Sequence, residues 1–314
     1  MAAHPLSEHF AYFFSRLNPG PTFETQASSQ YTTIKALIEN PNGAARELSP
    51  QCFLQGSYRQ ATAIHAINDI DIVVLCELWQ PPSGGAGVGR NWSRDDIFNT
   101  VAAPLFADAR YRAKVRYGPQ SMCIKVDLGI KVEILPVVYK QGNNDASVEP
   151  FRLYRPEVAG WQDGFARYHQ RWLTWKNSAG KTGSNFIPMI KVLKHLRSVF
   201  AVDAVSFHLE SLLFNVPDEV FRGAPTDYIP SVLSAITAAS AEAAWIAGCM
   251  TPCRDRDVLS EPEWGFNRWR TFHELAKKWT VVAQRAAGAS SRADAIALWR
   301  LLLRDAYFPE TVTR

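Results

Sequence analysis

The chain has 314 residues, of which 47% are hydrophobic and 20% charged, and its net charge is +4. That length and apolar content suit one large domain or two lobes and exclude a disordered chain. No apolar run reaches the length of a membrane span, and the first ten residues lack a basic stretch followed by an apolar core, so a cytoplasmic protein without a membrane partner is expected.

In chain order, helical periodicity opens over residues 6–17 and 24–38, the second stretch stopping before the breaker run Asn40-Pro41-Asn42-Gly43. Short apolar segments with the texture of strands follow at 52–54, 70–75, 113–117, 121–127 and 131–138, several alternating with period two. Between the second and third lies a Pro- and Gly-rich stretch, 80–91, read as a loop, and Ser93-Arg94-Asp95-Asp96 then has the composition of a helix start. Beyond about residue 142 helical periodicity dominates, over 164–176, 186–200, 207–214, 229–247, 264–287 and 292–306. The order of elements predicts an α+β protein, with a catalytic core at 1–145 and a helical C-terminal lobe at 146–314.

The five cysteines read as reduced thiols: Cys52, Cys76 and Cys123 fall in apolar or strand-like runs, and Cys249 with Cys253 lacks the further ligands of a zinc site. Gly180-Lys181-Thr182 lacks the upstream glycine of a P-loop, and the glycines between 84 and 89 have the wrong spacing for a dinucleotide-binding turn.

The segment that carries chemistry is Gln55-Gly56-Ser57-Tyr58-Arg59 followed by Asp69-Ile70-Asp71-Ile72-Val73-Val74. Asp69 and Asp71 leave a strand on the same face, while Ile70, Ile72 and Val74 turn into the core. Two carboxylates so placed repel each other and raise each other's pKa unless a cation lies between them, which a pair of Mg²⁺ ions would supply. Glu133, in Lys131-Val132-Glu133-Ile134-Leu135-Pro136, offers a third acid from a neighbouring strand. Gly56 and Ser57 offer a turn where backbone and hydroxyl approach a polyphosphate. Any one of these features is common among solvated acids and turns; the ordered set points to two-metal nucleotidyl transfer.

At these residues the chain resembles the polymerase β-like nucleotidyltransferase superfamily, and within it the cGAS/DncV-like nucleotidyltransferases (CD-NTases), relatives of oligoadenylate synthase. Ile187-Pro188-Met189-Ile190-Lys191-Val192-Leu193-Lys194-His195-Leu196 is similar to the first long helix of that family's C-terminal lobe. Val205-Ser206-Phe207-His208-Leu209-Glu210 resembles its Ser-Tyr-His-Leu-Glu segment. The resemblance implies a polymerase β-like core plus a helical lobe with the active site in the cleft between them. It also implies two Mg²⁺ or Mn²⁺ ions on Asp69, Asp71 and Glu133, and nucleoside triphosphates, ATP and GTP foremost, as substrates. Ser57 would touch the β and γ phosphates. Lys194 and Ser206 would hold the triphosphate from the helical side, with Lys191 the other lysine of the same helix. Phe207 would stack on a base, unless it belongs to the core, and Ser206 has the further reading of a helix N-cap.

Two departures stand out: Glu133 replaces the family's usual Asp, and Phe207 its usual Tyr. The zinc-binding insertion of the animal DNA sensor has no counterpart, so DNA sensing by that route is not expected. The implied product is a cyclic di- or trinucleotide messenger acting on a downstream effector in bacterial CBASS antiphage defence. Linear synthesis, transfer to RNA or a small molecule, and a catalytically inactive nucleotide-binding sensor are the competing readings.

Overall fold

The computed structural model describes residues 4, 6–65, 69–80, 92–119, 121–140, 149–156 and 159–312. Helices α1 (Ser7–Leu17) and α2 (Pro21–Ile38) precede strand β1 (Gln51–Gln55), the single-turn helix α3 (Gly56–Arg59) and strand β2 (Asp69–Gln80). Next come α4 (Arg94–Ala107), β3 (Val115–Arg116), β4 (Ile124–Asp127), β5 (Lys131–Lys140), β6 (Phe151–Arg155) and β7 (Gly160–Gly164). The rest is helical: α5 (Ala166–Lys176), α6 (Ala179–Thr182), α7 (Phe186–Val199), α8 (Ser206–Phe214), α9 (Pro225–Ile236), α10 (Ala241–Ala247), α11 (Phe266–Ala287) and α12 (Arg292–Leu303). Among the described residues no single helix is long and apolar enough to cross a membrane. The glycine-containing loop expected at 80–91 lies, from residue 81 onward, outside the described residues.

Two compact units interleave along the chain. A sheet unit holds Gly20–Gln60 and Ala66–Gln170; a helical unit holds Met1–Pro19, Ala61–His65 and Arg171–Arg314. In the sheet unit the strand order is β1-β2-β5-β4-β3. β2 and β5 run parallel, and the other pairings in that path are antiparallel. The upper half of β5 also pairs with β6, and β6 with β7. One face of the sheet is sealed by α2 and α4. Ile34 and Ile38 from the first and Phe98, Val101 and Leu105 from the second pack on Ile70, Ile72, Val132 and Ile134, all fully buried. Ser93 starts α4 as its sequence suggests, in a capping box with Asp96.

The helical unit is organised around aromatic side chains from distant parts of the chain. Phe10 of α1 meets Trp299 of α12 edge-on at 5.0 Å, and Phe13 meets His195 of α7 at 5.4 Å. Leu17 closes this entry by accepting a hydrogen bond from the His65 amide at 2.7 Å.

Three local expectations need correction. Strands β6 and β7 occupy a stretch where helical texture is expected. The helix expected over 229–247 is two, because Ser240 caps a new start by accepting from the Ala243 amide at 3.1 Å. The N-cap of α8 is Val205, with Ser206 already inside the helix, so Ser206 is not a cap.

Candidate active site

Pairing register sets Gln55, Asp71, Glu133, Lys125 and Arg116 directly opposite one another across β1, β2, β5, β4 and β3. Directly paired residues share a face of a sheet, so this polar row leaves the side opposite to α2 and α4, and Asp69 shares that side one pleat earlier. The neighbouring positions Ile70, Ile72, Val132, Ile134 and Ile124 point the other way and are completely buried. Apolar burial on one face therefore holds the three carboxylates on the other, with Asp71 and Glu133 as immediate partners.

The turn from β1 into α3 is fitted to one of those acids. Gly56 has φ +70°, and a Cβ added there would lie 1.8 Å from Asp71 Oδ2. Only a residue without a side chain lets the backbone come this close to the carboxyl. Ser57 follows as the next residue of α3, partly buried.

Burial, then the neighbouring Asp69 and Glu133 carboxylates, push the Asp71 carboxyl up to about 7. Glu133 is engaged by Lys125, whose Nζ lies 3.2 Å from its Oε1. Cys123, one pleat from Lys125 and almost fully buried, is pushed up to about 12, first by burial and then by Glu133, and so stays a thiol beside the acids. Among the described residues no three His, Cys, Asp or Glu side chains converge as a finished metal-ligand set. The donor set nevertheless fits a hard divalent cation: three carboxylates share a face, and one is driven toward its protonated form by burial and then by the other two. Asp69, Asp71 and Glu133 are the residues that could hold such ions once Glu133 parts from Lys125.

In the sequence Cys123 reads only as a reduced thiol in a strand-like run and Lys125 is not singled out, although a signal for Lys125 exists. Lys125 and Glu133 flank the short turn around Gly129, whose φ is +86°, and equal steps back along each strand pair them.

The remaining expected residues lie in the helical unit. Lys194 of α7 is 2% exposed, and its ammonium donates to Glu210 Oε1 at 2.8 Å, Thr62 Oγ1 at 2.9 Å and the Thr62 carbonyl at 3.2 Å. An ammonium has three donors; all are taken, so here Lys194 braces α7 and α8 rather than presenting a donor to a phosphate. Lys191 donates to Asn18 Oδ1 at 2.6 Å. Ser206 Oγ accepts from Arg197 Nη1 at 3.2 Å, and the half-buried Phe207 ring has the Arg256 guanidinium 4.9 Å from its centre. Lys181 sits over Trp175 at 4.2 Å.

A parallel strand pair carrying acids beside a Gly-Ser turn, together with a helical domain, defines a nucleotidyltransferase, and comparison with known proteins says which kind. The sequence model of the Second Messenger Oligonucleotide or Dinucleotide Synthetase domain matches residues 5–177. That of the cGAS/DncV-like nucleotidyltransferase C-terminal helical domain matches residues 174–278. The cyclic UMP-AMP synthase of Rhodothermus marinus is 25% identical over 234 residues, covering 67% of this chain and 77% of that protein. The structure of Rhodothermus marinus CdnE c-UMP-AMP synthase with Apcpp and Upnpp is similar at a TM-score of 0.67 and 22% identity, over 86% of this chain and 95% of that one. Escherichia coli MS115-1 CdnC, in its HORMA-deltaN complex, is similar at a TM-score of 0.71 and 14% identity, over 96% and 98%. The chain belongs to the Second Messenger Oligonucleotide or Dinucleotide Synthetase family and carries that family's cGAS/DncV-like helical domain.

Proposed function

We propose that this enzyme joins ribonucleoside triphosphates, without a template, into a cyclic di- or trinucleotide messenger and releases pyrophosphate. The observation that carries the reading is the acid row itself: Asp71 and Glu133 paired across β2 and β5, Asp69 on the same face, and Gly56 shaped to Asp71. Relatives named for UMP and AMP joining, or solved with ATP or GTP, support nucleoside triphosphates as the substrate class. In this reading Asp69, Asp71 and Glu133 hold two Mg²⁺ or Mn²⁺ ions. When bound, the ions activate the attacking sugar hydroxyl and stabilise the leaving pyrophosphate. Gly56 and Ser57 bring backbone and hydroxyl to the phosphates. Ser206 contributes a hydroxyl already oriented by Arg197, and Phe207 offers a ring face to a base. Lys194 keeps the α7 and α8 backbone in place for them. The biological role consistent with this family is production, inside a bacterial cell, of a messenger that switches on an antiphage effector.

The test is incubation with all four labelled ribonucleoside triphosphates and Mg²⁺ or Mn²⁺, followed by phosphatase and mass spectrometry. A resistant species with the mass of two or three linked nucleotides is expected, and Asp69→Asn combined with Asp71→Asn should abolish it while the circular dichroism spectrum is kept. Pyrophosphate release with only phosphatase-sensitive products would replace the cyclic product with a linear one. Undiminished synthesis by the double variant would place the site elsewhere.

A further inference from the structure

We propose that Lys125 is an internal counter-ion of the active site, which holds Glu133 in the metal-free enzyme and competes with the divalent cation for it. The inference rests on the reading of Glu133 as a metal ligand. Lys125 is the direct cross-strand partner of Glu133, and its ammonium sits 3.2 Å from the carboxylate. The pair lies within a charged row across the sheet, with Asp71 on the other side of Glu133 and Arg116 beyond Lys125. Asp69, Asp71 and Glu133 share one face of the sheet; Lys131 stands opposite Asp69 in the register, and Lys125 is the cation paired with Glu133.

Its placement also lets it leave. The Lys125 side chain is 66% exposed against 31% for Glu133, and its flexible stem can carry the ammonium into water without moving the strand. The strand position itself is fixed, because the short turn around Gly129 sets the register of β4 on β5. Arg116 stands one strand further out, opposite Lys125 and about 5 Å away in the strand-to-strand direction. It therefore reports on the general effect of positive charge near the acids without touching Glu133.

The experiment is Mn²⁺ titration of the full chain without nucleotide, read by electron paramagnetic resonance of the free ion. Lys125→Met should bind Mn²⁺ about three- to fivefold more tightly than the wild type, the scale of one exposed ion pair removed. Lys125→Arg, which keeps the pairing, should return to wild-type affinity or below. Arg116→Met, which removes the same charge one strand away, should change affinity less than about twofold, because exposed charges are screened. Unchanged affinity in Lys125→Met, or an equal gain in Arg116→Met, would overturn the counter-ion role. Wild-type affinity in the Asp69→Asn, Asp71→Asn double variant would instead overturn the carboxylate site itself, and so would the absence of Mn²⁺ binding from both the wild type and Lys125→Met.

Discussion

Single side chains in the acid row differ in how openly the sequence declares them. The shared face of Asp69 and Asp71 follows from a two-residue step along a strand flanked by Ile70 and Ile72, so period-two alternation suffices to read it. Gly56 is different. Its need to lack a side chain arises from Asp71, which reaches it only through the antiparallel register of β1 on β2, in which Gln55 stands opposite Asp71. A glycine before a serine says nothing of that contact in advance. The consequence is testable with two glycines. Gly56→Ala incurs the left-handed backbone penalty of about 1–2 kcal/mol and also forces the Asp71 carboxyl aside. Gly129→Ala has the same backbone penalty, at φ +86°, but open space around its Cβ. Chemical denaturation should therefore show a stability loss in both variants, the larger in Gly56→Ala, where the displaced Asp71 carboxyl adds to the backbone penalty. Synthesis should fall on the order of a hundredfold only in Gly56→Ala, as expected when a reacting group is displaced by about an ångström. Near-wild-type synthesis by Gly56→Ala would remove Asp71 from the chemistry.

Whole elements show where pattern reading succeeds and where it fails. Long amphipathic helices such as α7 and α11 are legible because an apolar stripe repeats over several turns, and β2 and β5 because their aliphatic runs are strong. β6 and β7 escape notice: each is five residues long, β6 mixes aromatic and charged residues while β7 is bounded by glycines, and each acquires its strand state from pairing, β6 with β5 and β7 with β6, rather than from its own composition. The part of Lys194 is hidden for a related reason. On a helical wheel it is merely a lysine near an apolar stripe, yet its burial comes from Glu210 on α8 and Thr62, which lies far away in sequence. Breaking such a buried pair leaves a charge without compensation, so Lys194→Met should lower stability by about 3–5 kcal/mol. Replacing both charges, as Lys194→Met with Glu210→Leu, should recover at least half of that loss. Urea midpoints measure both. A single variant as stable as the wild type, or a double variant no better than the single, would reject the bracing role. A stable double variant that no longer binds a nucleoside triphosphate would return Lys194 to direct phosphate contact.

At the scale of the molecule, the compact units do not follow one cut in the chain, and this decides which fragments can fold. The helical unit takes its first helix from residues before the sheet and a five-residue segment, Ala61–His65, from between β1 and β2. Linear reading sees helices at both ends of the sequence but has no means of assigning the first to the last, since the aromatic contacts that join them are tertiary. Leu6, Phe10, Phe13 and Leu17 are buried to 1% or less in the helical core. Each such side chain contributes about 1.5–3 kcal/mol on burial. Four together approach the 5–15 kcal/mol that keeps a whole domain folded. Thr62 adds the hydroxyl that completes the Lys194 and Glu210 pair, and the His65 amide adds the bond to Leu17. A fragment of residues 171–314 should therefore lack a cooperative thermal transition and bind a hydrophobic dye, although it contains α6 to α12 complete. Restoring α1 as a tethered segment, residues 4–19 joined through a flexible linker, should sharpen the transition, because it returns all four apolar side chains to their places. A sharp melt of the untethered fragment would mean that α1 is an ornament on a self-sufficient bundle, and that the aromatic contacts between Phe10, Trp299 and Phe308 contribute little to the fold.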